Sequence, residues 1–388
     1  MIPQIQYIKL DECAKFSQGK QVPVEEQYAE PFEDSVRFVR IVDFTNENEP
    51  PRYIKNYGDS YQVNSNDLIM IRYGSQTAGK VVRGFSGIIA NNMFKVDIDR
   101  TLFDINFAYY YLSSPKIYKM LMNAQSSSTM PAITFGMLGQ IEVPLFNLET
   151  QRKIAKVLGA IDEKIELNNS INKNLEQQAQ AIFNNTFVNL EDVPNGWQVS
   201  CLSDIAEYLN GLAMQKFRPK ENEKGIPVLK IKELGQGYCN EQSDLCSPNI
   251  KSDYIINNGD VIFSWSGTLL LDIWCGGLCG LNQHLFKVTS QKFDKWFYYF
   301  WTKYHLNKFI FIAKDKATTM GHIKREDLDK SEVLIPDTQT YSMLNSILSP
   351  IFELIIKNRI ENSRLTQLRD TLLPKLMNSE IDVDKVEV

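Results

Sequence analysis

The chain has 388 residues, 43% of them hydrophobic and 23% charged, with a formal net charge of −5. That length exceeds one ordinary core, so two or more domains are expected, and the composition is that of a soluble globular protein. The acidic balance excludes a protein that coats nucleic acid indiscriminately, while leaving room for local basic surfaces. The N-terminus "MIPQIQYIKLDECAKF" lacks a basic stretch followed by an apolar run, and no segment reaches bilayer-spanning length. The expectation is a cytoplasmic chain with no membrane partner, whose six cysteines are reduced thiols.

Residues 1–148 carry short β-like runs separated by Gly, Pro, Asn and Asp, with a helical patch over 103–122. Within them "RYGSQTAGKVV" (72–82) has the Gly-x₄-Gly-Lys skeleton of a phosphate-binding loop. Such a loop needs a Ser or Thr after the Lys, to hold magnesium, and a helix start. Here Val81 follows Lys80, and a β-branched run broken by Gly84 and Gly87 takes the place of a helix. The stretch reads as a strand followed by a turn. Residues 149–187 are polar and helical, 188–336 return to the mixed pattern with a helical patch over 293–310, and 337–378 are helical again before a tail of 379–388. The aromatic rows of the two patches read as helix faces packed in a core rather than as base-stacking platforms.

The second half repeats the first. Leu10, Ala14 and Gly19 recur as Leu202, Ala206 and Gly211, displaced by 192. "NSNDLIMIRYGS" (64–75) returns as "NNGDVIFSWSGT" (257–268), "MFKV" as "LFKV", "TMPAIT" as "TMGHIK" and "ETQ" as "DTQ", all in the same order. The second copy of the glycine-rich turn reads "SWSGTLLLDIW", without a Gly-Lys, which argues against a phosphate cradle in either half. The expected fold is therefore α+β, two duplicated domains each followed by a long helix.

In the first helix Ile154, Ile161, Asn168, Leu175 and Ile182 recur every seven residues, thickened by Val157, Leu158, Ile165, Ile171 and Ala179. The same phase 190 residues later gives Leu344, Ile351, Asn358, Leu365 and Leu372. A sustained heptad is a coiled-coil seam, and an Asn within it costs stability while fixing register. An antiparallel pair is expected, which would bring the central Asn168 and Asn358 near each other; the alternative is that both face water at a frayed seam. Pro350 is expected to break the second helix and leave an arm from about 350 to 377, about 40 Å long.

The segments "IEVPLFNLETQRKIAKVLGAIDEKIELNNSINKNLEQQAQAIFNNTF" (141–187), "LEDVPNGWQVSCLSDIA" (190–206) and "LTQLRDTLLPKLMNSEIDV" (365–383) resemble the central and C-terminal conserved regions of type I restriction–modification specificity subunits. "PDTQTYSMLNSI" departs from that pattern by lacking the basic residues of "LETQRKIAKVL". The resemblance implies target-recognition domains at 1–148 and 188–336, and conserved helices at 149–187 and 337–378 that pair as a spacer. It implies that each domain reads half of a split double-stranded DNA target in the major groove, and that the chain itself is non-catalytic. Two methyltransferase subunits and nuclease–translocase subunits would be its protein partners. They would carry S-adenosylmethionine, ATP and magnesium, with no cofactor or metal on this chain.

Base readers are Arg, Lys, Asn, Gln, Ser and Thr at loop ends, because their donors and acceptors match base edges. The first half offers Arg72, Tyr73, Ser75, Gln76, Thr77 and Lys80, and the loop Gln125, Ser126, Ser127, Ser128 and Thr129. The second offers Ser264, Trp265, Ser266 and Thr268, and the segment Lys314, Lys316, Thr318, Thr319, His322 and Lys324. Their paired position in both halves is the warrant; the alternative is that each is a solvated loop residue. Two rival classes stand beside this one: a coiled-coil adaptor that binds only protein, and an enzyme using Cys275, Cys279 and His284 as a metal or thiol site.

Overall fold

The computed structural model describes residues 5–46, 48–74, 77–124, 132–315 and 323–386, with the side chains of 312–315 outside the description. The chain divides into two compact units, 1–163 with 366–388, and 164–365. The boundary falls inside the two long helices, so each unit contains a stretch of both.

The described residues of the first unit form strands β1 (Tyr7–Lys9), β2 (Ala14–Gln18), β3 (Ser35–Val39), β4 (Arg52–Lys55), β5 (Gln62–Val63), β6 (Leu68–Ile71), β7 (Val81–Val82), β8 (Gly87–Ile89), β9 (Met93–Ile98) and β10 (Glu142–Pro144). They form a sheet of order β2-β9-β6-β7, a sheet of order β4-β3-β8-β5, and the ribbon β1-β10. The second unit holds β11 (Gln198–Cys201), β12 (Glu207–Asn210), β13 (Ile226–Leu229), β14 (Leu245–Cys246), β15 (Ile255–Ile256), β16 (Val261–Ser264), β17 (Leu270–Ile273), β18 (Cys279–Leu281), β19 (Leu285–Thr289) and β20 (Glu332–Ile335). Their orders are β12-β19-β16-β17, β14-β13-β18-β15 and β11-β20. The parallel pairings are duplicated too: Phe38 lies opposite Ile88 and Val228 opposite Gly280, and the bridge of Lys20 to Ala90 returns as Leu212 to Asn282. The α+β duplication is thus a duplication of topology and register.

Each first sheet packs on helices. In the first unit the patch over 103–122 is two helices, Ile105–Leu112 and Pro115–Asn123, because Ser114 caps the second and Pro115 sits at its first position. The second unit has no proline there and runs one helix, Lys295–Asp315. Phe107, Tyr110 and Tyr111, and Trp296, Phe297, Phe300 and Trp301, are all buried, so the aromatic rows are core.

The long helices are Leu148–Phe183 and Thr338–Met377. Repeat-equivalent residues start them: Asn147 Oδ1 accepts from Thr150 N–H, and Asp337 Oδ1 from Thr340 N–H. Pro350 does not break the second helix, which is continuous over 40 residues, about 60 Å. A proline inside a helix, through its lost hydrogen bond and the clash of its ring with the preceding turn, costs about 3 kcal/mol. Leu344 and Leu348 before the proline and Phe352 and Ile355 after it are buried, and those contacts offset the loss.

All ten seam positions are buried or half-buried, whereas Ile171 is exposed and thickens nothing. In the second unit the helices pair antiparallel. Asn168 and Asn358 do not bond each other. Asn168 Nδ2 donates to Asn362 Oδ1 at 2.9 Å, and Asn358 Nδ2 donates to Asn172 Oδ1 at 2.9 Å. Because 168 matches 358 and 172 matches 362 in the repeat, these are one interaction made twice about a local two-fold. Nearby, Arg359 bridges Asp272 (2.7 Å) and Glu176 (2.9 Å). Burial opposes its charge, but the two carboxylates more than compensate and raise its pKa. In the first unit Arg369 Nη1 reaches Asp162 at 2.8 Å, whose other oxygen accepts from Tyr110.

Replacing Asn172 with Leu strands the buried Asn358 amide, and should cost about 1–3 kcal/mol in denaturant unfolding. Asn172→Leu with Asn358→Leu should regain most of that, since both partners are then apolar. Equal losses for the single and double variants would remove this pair from the stability of the seam.

Candidate nucleic-acid interface

The stretch 72–82 is the connection from β6 to β7 (72–80) with β7 itself. Gly74 (φ +118°) and Gly79 (φ +81°) take backbone conformations that favour glycine. The amides point inward. Gly79 N–H donates to Ile71 O, Ala78 N–H to Gly74 O and Lys80 N–H to Thr77 O, while Ile71 N–H donates to Lys80 O. These groups close a hairpin, and a strand rather than a helix follows Lys80. The phosphate-loop skeleton is thus consumed by the turn.

Around this hairpin the first-half candidates gather. The Arg72 guanidinium lies 4.7 Å from the Tyr73 ring centre and 5.3 Å from that of Phe94, and its Nε is buried without a partner among the described residues. Thr77 Oγ1 donates to Tyr73 O, and Lys80 is exposed. Arg72 O accepts from Ile133 N–H, and Tyr73 bridges to Ala132. Ala132 and Ile133 thus meet the hairpin although some 60 residues separate them from it in sequence. Ser75, Gln76, Gln125, Ser126, Ser127, Ser128 and Thr129 lie outside the described residues.

The second unit repeats the arrangement at the connection from β16 to β17. Trp265 O accepts from Ile323 N–H, bringing in the residue that follows 316–322. Trp265 is half-buried, donates from Nε1 to Asn210 Oδ1 at 2.9 Å, and packs on Phe286 at 5.6 Å between ring centres. Ser264 and Ser266 turn inward. Ser264 is fully buried and donates to Ser266 O, and Ser266 Oγ lies 3.1 Å from His284 Nδ1. Both serve the turn, while Thr268 and Lys324 are exposed. Lys316, Thr318, Thr319, His322 and the Lys314 side chain lie outside the described residues.

Cys275 and Cys279 share this unit with His284, yet His284 is held by Ser266 and by Gln283, whose Nε2 is 3.2 Å from its Nε2. Cys279 is buried; a hydrogen bond with Cys239 and that burial push its thiol far up, and the same bond lowers Cys239. Among the described residues His, Cys, Asp and Glu nowhere gather in threes that could hold a metal, and no helix is long and apolar enough to cross a membrane. Asn172, Asn362, Arg359 and Arg369 went unnoticed in the sequence; the 190-residue offset applied to Asn172 would have exposed the first two.

A pair of α+β domains with hairpins at matching positions, each built on stretches of two long helices, defines one module built twice. The family model described as "Type I restriction modification DNA specificity domain" matches residues 4–177 and again 194–368. The chain belongs to that family. Among curated relatives, the MjaIX specificity subunit of Methanocaldococcus jannaschii is 29% identical over 305 residues, covering 72% of this chain and 70% of that protein. The HindI specificity subunit of Haemophilus influenzae is 23% identical over 340 residues, covering 68% and 74%. The crystal structure of a type I system S subunit from M. genitalium shares the fold, with a TM-score of 0.54 at 18% identity over 96% of each chain.

Proposed function

We infer that this chain reads a bipartite DNA target for a type I restriction–modification complex. Each unit reads one half-site, and the paired helices set the unread gap. As a specificity subunit it supplies recognition and no chemistry. Two methyltransferase subunits would bind it and bring S-adenosylmethionine, and nuclease–translocase subunits would join with ATP and magnesium. The observation that carries the reading is the duplication itself. Two copies of one sheet pair, each with a hairpin at the same place in the topology, accompany a helix seam whose asparagine bonds are two-fold related.

The test is to co-express the chain with its methyltransferase subunits in a host lacking other methylation and to map every modified adenine. The expected motif is two fixed half-sites separated by a fixed number of unread base pairs. A contiguous motif would overturn the bipartite reading. Absence of methylation and of DNA binding by an assembled complex would leave an adaptor that binds only protein.

A further inference from the structure

One more feature is built twice, and the hairpins do not account for it. Strands β8 and β18 are each followed by three residues before β9 and β19 begin. In the first unit Ala90 N–H donates to Val39 O, Met93 N–H to Ala90 O, and Arg72 N–H to Asn92 O. In the second, Asn282 N–H donates to Leu229 O, Leu285 N–H to Asn282 O, and Trp265 N–H to His284 O. The opposite wall is duplicated as well: a Cβ on Gly19 would stand 2.2 Å from Ala90 O, and one on Gly211 2.2 Å from Asn282 O. The same backbone is clamped in the same way in both copies.

The side chains on it differ. The first position is buried in both (Ala90, Asn282) and closes the turn. The next two are half-buried and polar: Asn91 and Asn92 in one unit, Gln283 and His284 in the other. They line a groove of about 320 Å³ in the first unit, shared with Gln21 and Arg40. In the second they line one of about 660 Å³, shared with Arg218 and Lys230. Arg40 and Lys230 are repeat equivalents, and both are already paired, Arg40 with Asp43 and Glu49, Lys230 with Asp244. The amides and the imidazole are the neutral polar groups beside these pairs, with exposed Arg218 and Lys232 also lining the second groove. Asn92 Oδ1 is buried with no hydrogen-bond partner among the described residues. Asn91 O accepts from Gln18 Nε2 at 2.9 Å, while its side-chain Nδ2 reaches Gln21 Oε1 over a long 3.4 Å. His284 is braced between Ser266 and Gln283.

We propose that Asn91 and Gln283 are the base readers of the two units, backed by Asn92 and His284, and take base edges in the major groove. This rests on the reading of the chain as a DNA-specificity subunit. The Asn91 and Gln283 amides present a donor and an acceptor side by side, the pattern of an adenine edge. Asn92, whose Oδ1 is buried, and His284, whose two ring nitrogens face Ser266 and Gln283, sit behind them. Reading two different half-sites with one scaffold requires a constant backbone carrying exchangeable polar groups. These positions have both properties, clamped by Gly19 and Gly211 behind and by Arg72 and Trp265 beside them.

The experiment uses the complex of this chain with its methyltransferase subunits on a plasmid library in which both half-sites are randomised. Asn91→Ala should relax discrimination at one base pair of one half-site by about 10- to 100-fold, leaving the other half-site and the gap intact. Gln283→Ala should do the same in the other half-site. The graft Gln283→Asn with His284→Asn should shift the second half-site toward the base preferred by the first. Active complexes of the two alanine variants with unchanged preference at every base would overturn the proposal. The alanine variants each remove one half-buried amide, so thermal melting separates misfolding of the graft from a failed prediction. A wild-type complex that methylates no member of the library would instead sink the DNA-specificity reading.

Discussion

Gly211→Ala is expected to cost about 3 kcal/mol or more, the upper range for overpacking a clamped site. Its backbone is not in a left-handed conformation, so the requirement is for space. The added Cβ would meet Asn282 O at 2.2 Å and Leu281 O at 2.5 Å. Neither oxygen can yield freely: Leu281 O accepts from Leu212 N–H, and Asn282 O from Leu285 N–H. Gly237→Ala is the control. That glycine sits at φ +80° with nothing within 4 Å of its Cβ, so the substitution costs only the strain of the conformation, about 1–2 kcal/mol. Denaturant unfolding measures both, and Gly19→Ala should reproduce the larger loss in the first unit. Equal costs at 211 and 237 would mean that the wall behind residues 282–284 gives way, and the clamp with it.

Much of this fold could be read from the sequence because the chain states it twice. Residues recurring in order at offsets near 190 implied the duplicated topology, and the sheets match strand for strand. The heptad identified the buried stripe of each long helix. It did not identify partners across the seam, because heptad phase gives the face of a helix and not its height beside the other helix. Asn168 therefore meets Asn362 rather than Asn358. Pro350 misled for a different reason: its local penalty is visible in sequence, whereas the burial of Leu348 and Phe352 that outweighs it is tertiary. Ser264 and Ser266 are polar beside a strand end, a description that suits a reader and a turn-closing residue equally. The pairs at 91–92 and 283–284 escaped because a search for repeats rewards identity. Positions that must differ between two half-sites are those such a search passes over.

If the helix pair sets the gap, lengthening it at one height should move the half-sites apart and also rotate them. The two asparagine bonds bracket Ser170 on the first helix and Ile360 on the second, so insertions after those two residues lengthen both helices together. One heptad in each keeps the seam in phase and adds about 10 Å, about three base pairs of rise. With 10–10.5 base pairs per turn, the displaced half-site also swings round the DNA axis by about 100°. Methylation is therefore expected to fall sharply, with the remainder on targets whose gap is about three base pairs longer. Three heptads add about 32 Å, roughly nine base pairs and most of a full turn, so the same groove faces the protein again. Methylation should recover, now on targets whose gap is nine or ten base pairs longer, with both half-sites unchanged. A plasmid library varying only the gap reads both variants at once. Efficient methylation of the original gap by either variant would show that the helices hold the chain together without measuring the DNA.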